Sequence, residues 1–566
     1  MKKSLLIKIY ICLILTILLA YPIYGFNNFT NTNNSLQGNW TRIVVDSNLD
    51  GSHNIIIENV DNDDKPDLIA DAYRAEVVVW YKQPQNPIND TWTKYIIDSH
   101  LPNAHDIQVG DIDGDGLKDV IGLSLSEAWY DYNLGNGSVV WYKKPVNPEG
   151  AWIKTIIAES GNTGLLGARS AGLGDIDSDG DLDITVAIDT HKYSSQGRVF
   201  WYENPGGSNA LNPDLWNEYL IDDIVGTGAD AQVGDIDKDG NPDIVYSGNY
   251  GSPTGTFIYF APSDPTNIEG WNRVSIAGNS YHVYLVDFDE DNDLDVLRAS
   301  AFDDLVSFLE NPYPINPRIS GNWNEYIIEQ DPSIHVANRV STADIDGDGD
   351  LDIGMNADPL QTSGIFKWYR RPDNTKDVDS YEIYVIDDDP TYTAYAHDSY
   401  LEDIDLDGDI DIVGVGPNAL GGTVLWWINE VKPNLNCDGE LIWNNVKKGK
   451  IVYGSFNVEN IGGQYSLLDW EISEYPTWGN WNFSQIKGDD LESGNLVQVD
   501  VKVIAPLYIY RVFSGSVKII NKENPEDCCE INVYLKTPRM KINNFKGLIQ
   551  YYKEIFHLLL FNQSNR

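Results

Sequence analysis

Positive charge is scarce in this 566-residue chain: 39 Lys and Arg stand against 86 Asp and Glu, for a formal net charge of −47. A field of that sign excludes nucleic-acid binding through phosphate contacts. Cysteine is scarce too. Only Cys12, Cys437, Cys528 and Cys529 occur, and no C-x-x-C spacing points to zinc or redox chemistry. There is no nucleophile elbow, phosphate loop, H-E-x-x-H or dinucleotide fingerprint. That absence still leaves room for a lyase or hydrolase whose catalytic groups come from separate loops. The N-terminal apolar run, Ile9–Ala20, is short for a membrane span.

That run reads instead as an export signal. Lys2, Lys3 and Lys8 precede it, and small Ala20 and Gly25 offer cleavage points, so residues 1–25 are assigned to a signal peptide. An Asn-rich linker, 26–39, follows. N-x-S/T sequons at Asn28, Asn33, Asn39, Asn89, Asn136, Asn482 and Asn562 are open to glycosylation in an exported chain. An oxidising compartment also permits a disulfide. Cys529 shares strand alternation with inward-facing Ile531 and Val533, which favours Cys437–Cys529 over a pairing through Cys528 or three free thiols.

What the chain has in abundance is one acidic stretch of nine residues, repeated seven times. The clearest copy carries Asp111, Asp113, Asp115 and Asp119 at positions 1, 3, 5 and 9, with Gly116 at position 6. Alternate carboxylates converging from a tight turn are hard oxygen ligands for Ca²⁺, and glycine permits the turn. Full copies follow at Asp175, Asp177, Asp179 and Asp183; at Asp235, Asp237, Asp239 and Asp243; at Asp344, Asp346, Asp348 and Asp352; and at Asp403, Asp405, Asp407 and Asp411. A sixth, with Asp287, Asp289, Asp291 and Asp295, has Asn292 at the glycine position. The first copy has Asn59, Asp61, Asp63 and Asp67, with Asp64 at that position. Up to seven Ca²⁺ are expected. The loops are not EF-hands, because their flanks read as strands and position 12 is apolar or glycine. A halophile's solvating surface explains the charge less well, since so many aspartates fall in one register.

The loop starts are spaced 52, 64, 60, 52, 57 and 59 residues apart. Each unit holds an apolar run into the loop, a second run out of it, and an aromatic run such as Val79-Trp80-Tyr81. A last run usually begins with Trp, as in Trp92–Ile97. Four strands per unit at this period are the signature of a β-propeller, with the aromatics as packing between blades. The last run is missing after Trp427, but Trp40–Val45 supplies one ahead of the first loop. The N-terminal strand is therefore expected to complete the final blade and close the ring.

These D-x-D-x-D-G-x-x-D loops resemble those of the FG-GAP/VCBS repeat family, the calcium-loop propellers of integrin α-subunit heads and many secreted microbial proteins. The likeness covers Trp40–Asn429, without the literal Phe-Gly and Gly-Ala-Pro signature. It implies that each loop joins the innermost strand to the second on one face of the disc.

The fold class expected is all-β: a seven-bladed propeller over 40–429, a linker over 430–435, and an immunoglobulin-like sandwich of six or seven strands over 436–538. A tail, 539–566, spaces Leu548, Tyr552, Ile555 and Leu559 at helical intervals. Membrane contact is expected only through this tail or the N-terminal segment.

Two candidate ligand sites lie away from the loops. Exposed Trp129, Tyr193 and Tyr250, among polar residues after the second strands, suit stacking on sugars. His53, His105 and His397 stand six residues before three of the loops, with Asp106, Asp230 and Asp398 at the next offset. Imidazoles and carboxylates at a channel mouth can hold a metal or an anionic sugar, or transfer protons. The sequence reads best as an exported, non-catalytic surface protein that binds a glycan or an extracellular protein. A polysaccharide-active enzyme and a structural surface-layer component are the rivals.

Overall fold

The computed structural model describes residues 40–125, 137–159, 167–189, 197–358, 364–416, 421–429, 433–462, 466–522, 524–525, 527–538 and 553. The expected signal peptide and linker, Trp129, Tyr193 and nearly all of the tail lie outside the described residues. Among those described, no helix is long and apolar enough to cross a membrane.

Residues 40–429 form seven four-stranded antiparallel sheets. The first sheet shows the pattern. Ser52–Glu58 is innermost, followed outward by Asp67–Ala72, Val77–Lys82 and Thr93–Asp98. The next five repeat this order, with inner strands Ala104–Gly110, Ala168–Gly174, Thr227–Gly234, His282–Val286 and Ala337–Ala343. The seventh is built from Asp398–Glu402, Asp411–Gly416 and Thr423–Asn429. Its outer strand is Trp40–Asp46, which runs antiparallel to Thr423–Asn429 with Trp40 opposite Asn429 and Ile43 opposite Trp426. The inner strands pack on one another in sequence, and that of the seventh sheet returns to that of the first. This is a β-propeller closed by its N-terminal strand.

The sequence pattern explains the layering. The second strand of every sheet is buried along its length, as in Asp67–Ala72 and Asp183–Ile188, except for exposed Tyr250 at the end of Asp243–Tyr250. A strand covered on both faces needs a continuous apolar run rather than alternation. The aromatic third strands put Trp80, Trp141, Trp201 and Trp426 in the core at 0% exposure. Trp80 stacks on Tyr95 of its own outer strand at 4.7 Å, and Trp201 and Trp368 repeat the pairing with Tyr219 and Tyr384.

Polar groups join the sheets at the outer rim. Tyr81 donates to Asp46 of the seventh sheet at 2.8 Å, Tyr142 to Asp98 of the first at 2.7 Å, and Tyr259 to Asp222 of the third at 3.1 Å. Trp427 Nε1 does the same to Asp387 of the sixth at 2.8 Å. A lysine or arginine completes each joint: Lys94 on Asp46, Lys154 on Asp98, Arg273 on Asp222 and Arg42 on Asp387.

The chain then builds two further sheets. One is ordered Leu435–Asp438, Ile451–Asn460, Leu496–Ile504, Asn480–Phe483. The other is ordered Glu440–Trp443, Cys528–Lys536, Val512–Asn521, Leu467–Glu474, Lys487–Glu492. Their apolar faces share one core around Trp470, Val499, Ile519 and Ile531. The first strand starts at Leu435, inside the expected linker, because Leu435 is itself part of that core. There are nine strands where six or seven were expected; the extra ones are short, four-residue pieces such as Asn480–Phe483. Cys437 and Cys529 are disulfide-bonded across the two sheets, with Cα atoms 6.0 Å apart, and Cys528 is free and exposed.

Candidate functional site

Two constellations lie at opposite ends of the inner strands: the acidic loops at their C-terminal ends, and a ring of polar residues at their N-terminal ends.

Each acidic loop joins an inner strand to the second strand of the same sheet. The backbone is left-handed at position 6 in all seven. Gly116, Gly180, Gly240, Gly349 and Gly408 have φ between 86° and 101°, and the substitutes Asp64 and Asn292 have φ of 65° and 71°. Asn and Asp are the non-glycine residues that tolerate this conformation best. Position 4 is also left-handed throughout, from Lys238 at 57° to Gly347 at 71°. These two inversions coil the loop around its own carboxylates. The position-1 aspartate accepts the N–H of position 6, as in Asp111 with Gly116 at 2.9 Å and Asp403 with Gly408 at 3.0 Å.

The motif does not distinguish position 9 from the others, but the structure does. Asp67, Asp119, Asp183, Asp243, Asp295, Asp352 and Asp411 are at most 1% exposed. One oxygen accepts the N–H of loop position 2, for example Ile236 to Asp243 at 3.0 Å. The other accepts an N–H just beyond the third strand, for example Ala261 to Asp243 at 2.8 Å. This aspartate splices three parts of one sheet together. Burial pushes it up, to about 8 for Asp243 and Asp411.

Positions 1, 3 and 5 remain for a cation. Their oxygens lie within 4.8 Å of one another in at least five loops, those beginning at Asp111, Asp175, Asp235, Asp287 and Asp344. Three half-buried carboxylates at that spacing repel one another unless a positive charge stands among them. Oxygen-only donors on a short loop suit Ca²⁺. The loops are also keyed to the neighbouring sheet. Asn204 Nδ2 donates to the carbonyl of Ile112 in the second loop at 2.7 Å, and Asn311 and Asn429 repeat this on Ile236 and Ile345 at 2.9 Å.

The loops differ in their own counter-charge, which the motif did not reveal. Lys143 pairs with Asp113 and Asp115, Arg318 with Asp237 and Asp239, and Arg370 with Asp346 and Asp348. Lys82 pairs with Asp61, and Lys376 with Asp289 at 3.3 Å. At the third loop, the residue equivalent to Lys82 and Lys143 is Glu203, whose charge raises Asp177 further. Lys82, Lys143 and Arg370 are the last residues of their third strands, whereas Arg318 and Lys376 reach the fourth and fifth loops from later segments.

At the other end, every inner strand contributes the same two offsets to one small cavity. His53-Asn54, His105-Asp106, Arg169-Ser170, Ala229-Asp230, Tyr281-His282, Asn338-Arg339 and His397-Asp398 line it. The second member of each pair forms a belt around the channel. Asn54 donates to Asp106 at 2.9 Å, and Asp106 accepts the Ala171 N–H at 3.0 Å. Ser170 donates to Asp230 at 2.8 Å, and Asp230 accepts the Val283 N–H at 3.1 Å. His282 Nδ1 accepts the Val340 N–H at 3.4 Å. Arg339 pairs with Asp398 at 2.9 Å, and Asp398 accepts the Ile55 N–H at 2.9 Å. Seven links thus pass through all seven sheets and return to the first. Sequence reasoning named three of these residues, Asp106, Asp230 and Asp398, but as ligand groups. It missed Asn54, Ser170, His282 and Arg339, although all share the offset of five residues before a loop.

The first members include the three histidines, which the structure brings together. His53 lies 4.0 Å from His105 and 3.7 Å from His397, ring centroid to centroid. Burial pushes all three down, aided by their neighbours: His53 and His105 well below the ordinary value, His397 to about 4. They are neutral at pH 7. Burial likewise raises Asp106 to about 7 and Asp398 to about 6. The cavity itself holds only about 50 Å³, room for a water or an ion rather than a sugar ring. Tyr250, at 46% exposure, is not among the residues that line it.

Comparison with known proteins fits this geometry. Residues 175–246 match the model of the FG-GAP-like repeat, a span running from the third acidic loop through the fourth. A 158-residue stretch is 31% identical to mouse (Mus musculus) integrin alpha-IIb, covering 26% of this chain and 15% of the integrin. Residues 175–246 are thus an FG-GAP-like repeat. Two crystal structures of BBS1N in complex with ARL6DN, soaked with lead and with mercury, align with 69% and 68% of this chain and 97% and 96% of theirs. Their identities are 9% and 10% and their TM-scores 0.40 and 0.41, too low to carry an argument. The matched stretch spans only 15% of the integrin's length, so the partners of a whole integrin do not transfer to this chain.

Proposed function

We propose that this protein is an exported, calcium-clamped binding module: a rigid seven-bladed propeller that presents surface loops to a glycan or an extracellular protein, followed by an immunoglobulin-like sandwich. The observation that carries the reading is the double bonding of the acidic loops. Each gathers carboxylates that need a cation, while the same loop is hydrogen-bonded to its own third strand and to the adjacent sheet. A bound Ca²⁺ then fastens the joint between sheets, and its role is structural. Positions 1, 3 and 5 would hold the ion, with position 9 bracing the loop behind them.

A binding role fits better than catalysis because the titratable groups at the channel mouth surround too small a space for a saccharide. Recognition then falls to the loops leaving the second strands, where Tyr250 is exposed. The test is a glycan and extracellular-protein array probed with the full chain in calcium and after chelation. Calcium-dependent binding to a defined ligand is expected. Turnover of a polysaccharide that disappears with Asp106→Asn would replace this reading with an enzymatic one.

A further inference from the structure

The C-terminal pair of sheets has two unlike ends. At one, Leu435 pairs with Asn460 just after the chain leaves the propeller. At the other, Ile451 and Asn480 both pair with Ile504, and Val512 pairs with Lys536. Three loops meet this second end: 444–450, 475–479 and 505–511. They hold Lys447, Lys448, Lys450 and Arg511 and no Asp or Glu, in a chain of net charge −47. All four cations are exposed. Among the described residues none of them is in an ion pair; those of this unit lie on Lys487 and Lys522.

The same tip exposes apolar side chains. Leu507, Tyr508, Ile509 and Tyr510 are consecutive and all exposed, Leu507 at 76% and Tyr508 at 65%, with Val512 nearby at 52%. A continuous apolar run rimmed by charge marks an interaction surface. The loop that carries it is anchored. Ala505 accepts the Gly449 N–H at 3.0 Å and donates to the Lys450 carbonyl at 2.9 Å, and it is buried with Val446 and Leu535.

The mixture of side chains selects the occupant. A saccharide stacks on aromatic faces but gains nothing from exposed Leu507, Ile509 and Val512. A soluble polyanion uses the cations alone. A bilayer interface uses all of them: aliphatic groups at the acyl boundary, tyrosines at headgroup level, Lys and Arg on anionic headgroups. The acidity of the rest of the chain does not prevent approach, because charges more than about 8 Å away are largely screened at physiological salt. The tail also starts here. Thr537 donates its N–H to the Arg511 carbonyl and accepts the Arg511 N–H on Oγ1, both at 3.0 Å. Leu548, Tyr552, Ile555 and Leu559, spaced at helical intervals, therefore follow on from this tip.

We propose that this tip is a membrane-contact surface, with residues 507–510 entering the headgroup region of an anionic bilayer and Lys447, Lys448, Lys450 and Arg511 pairing with its phosphates. It adds a third place of membrane contact to the two expected from the sequence. The proposal does not depend on what the propeller binds.

The test is co-sedimentation of the chain from Phe26 onward, which keeps every described residue, with vesicles of phosphatidylcholine alone or mixed equally with phosphatidylglycerol. Binding to the mixed vesicles is expected, falling as salt is added. Lys447→Gln with Lys448→Gln should weaken it by roughly thirtyfold, about a factor of five per lysine. Leu507→Ser should weaken it by about tenfold or more. These side chains are exposed, so the variants should melt as the unaltered chain does. A chain ending at Pro538 should still bind and still respond to Leu507→Ser, which separates the tip from the tail. Equal binding to both vesicles overturns the proposal, as does no binding until the tail is removed, which would make the tail the occupant of the tip. So does binding that follows the lysines but ignores Leu507→Ser, the mark of a site for a soluble polyanion, or binding that ignores both variants and is lost with the tail.

Discussion

The propeller and the C-terminal pair of sheets solve the same problem in different ways. Both must hold β-sheets face to face. The C-terminal unit does it with one apolar core around Trp470 and one disulfide between Cys437 and Cys529. The propeller divides its apolar core among the gaps between sheets and adds buried polar joints at three radii: the channel belt, the acidic loops and the Tyr–carboxylate pairs at the rim. Apolar burial is non-directional. A ring of near-identical sheets needs directional contacts to fix how each sits on the next, and charged, buried groups supply that at the cost of vulnerability.

Four changes separate the two regions. Chelation comes first. On the proposed reading, each filled loop would contribute about 2.7 kcal/mol at a calcium concentration one hundred times its dissociation constant. Several sites lost together should bring down the propeller's calorimetric transition while that of the disulfide-bonded unit stays. A single shared transition that does not move would break the comparison.

Asp398→Ala is next. It strips the carboxylate from Arg339, which keeps only the Tyr400 hydroxyl at 2.6 Å, and the acceptor from the Ile55 N–H at the closure of the ring. Leaving a buried guanidinium without its counter-charge costs roughly 3–5 kcal/mol, read as a lower denaturation midpoint for the propeller alone. Cys437→Ser works in the opposite region. The bridge spans 92 residues, and its loss should cost about 2–5 kcal/mol in the C-terminal unit, with propeller unfolding unchanged in the same urea titration.

The smallest change sharpens the contrast among the loops themselves. Glu203→Lys gives the third loop the kind of counter-charge that Lys143 gives the second. The gain without calcium should be under about 1 kcal/mol, because such pairs are partly solvated. It should come with weaker calcium affinity at that loop, measurable by titration calorimetry against the unaltered chain.

The propeller was legible in the sequence because its signals are local and repeated. The acidic nine-residue register, the Trp-Tyr runs and the displaced strand Trp40–Val45 each read directly as elements and as a closed ring. The first loop shows how far this goes: Asp64 replaces glycine, yet its backbone takes the left-handed turn. What could not be read was division of labour within a motif. Nothing in D-x-D-x-D-G-x-x-D says that the last aspartate is buried and splices strands while the first three face a common point. That depends on where the third strand ends, some 16 to 25 residues later, as between Asp295 and Asn311 or Asp119 and Lys144. The channel belt was half legible. The offset is constant, but its chemistry changes from Asn54 to Asp106, Ser170, Asp230, His282, Arg339 and Asp398, so residue type conceals a shared position. The bridge between Cys437 and Cys529 rested on strand alternation, the one periodic signal the C-terminal unit offers.

The most direct measurement is the calcium content of the intact chain, taken by plasma mass spectrometry after exhaustive dialysis against buffered micromolar calcium. The account predicts that several ions are retained per molecule and that Asp175→Asn with Asp177→Asn removes one. Protein that retains none, or a double variant that retains as many as the unaltered chain, contradicts it.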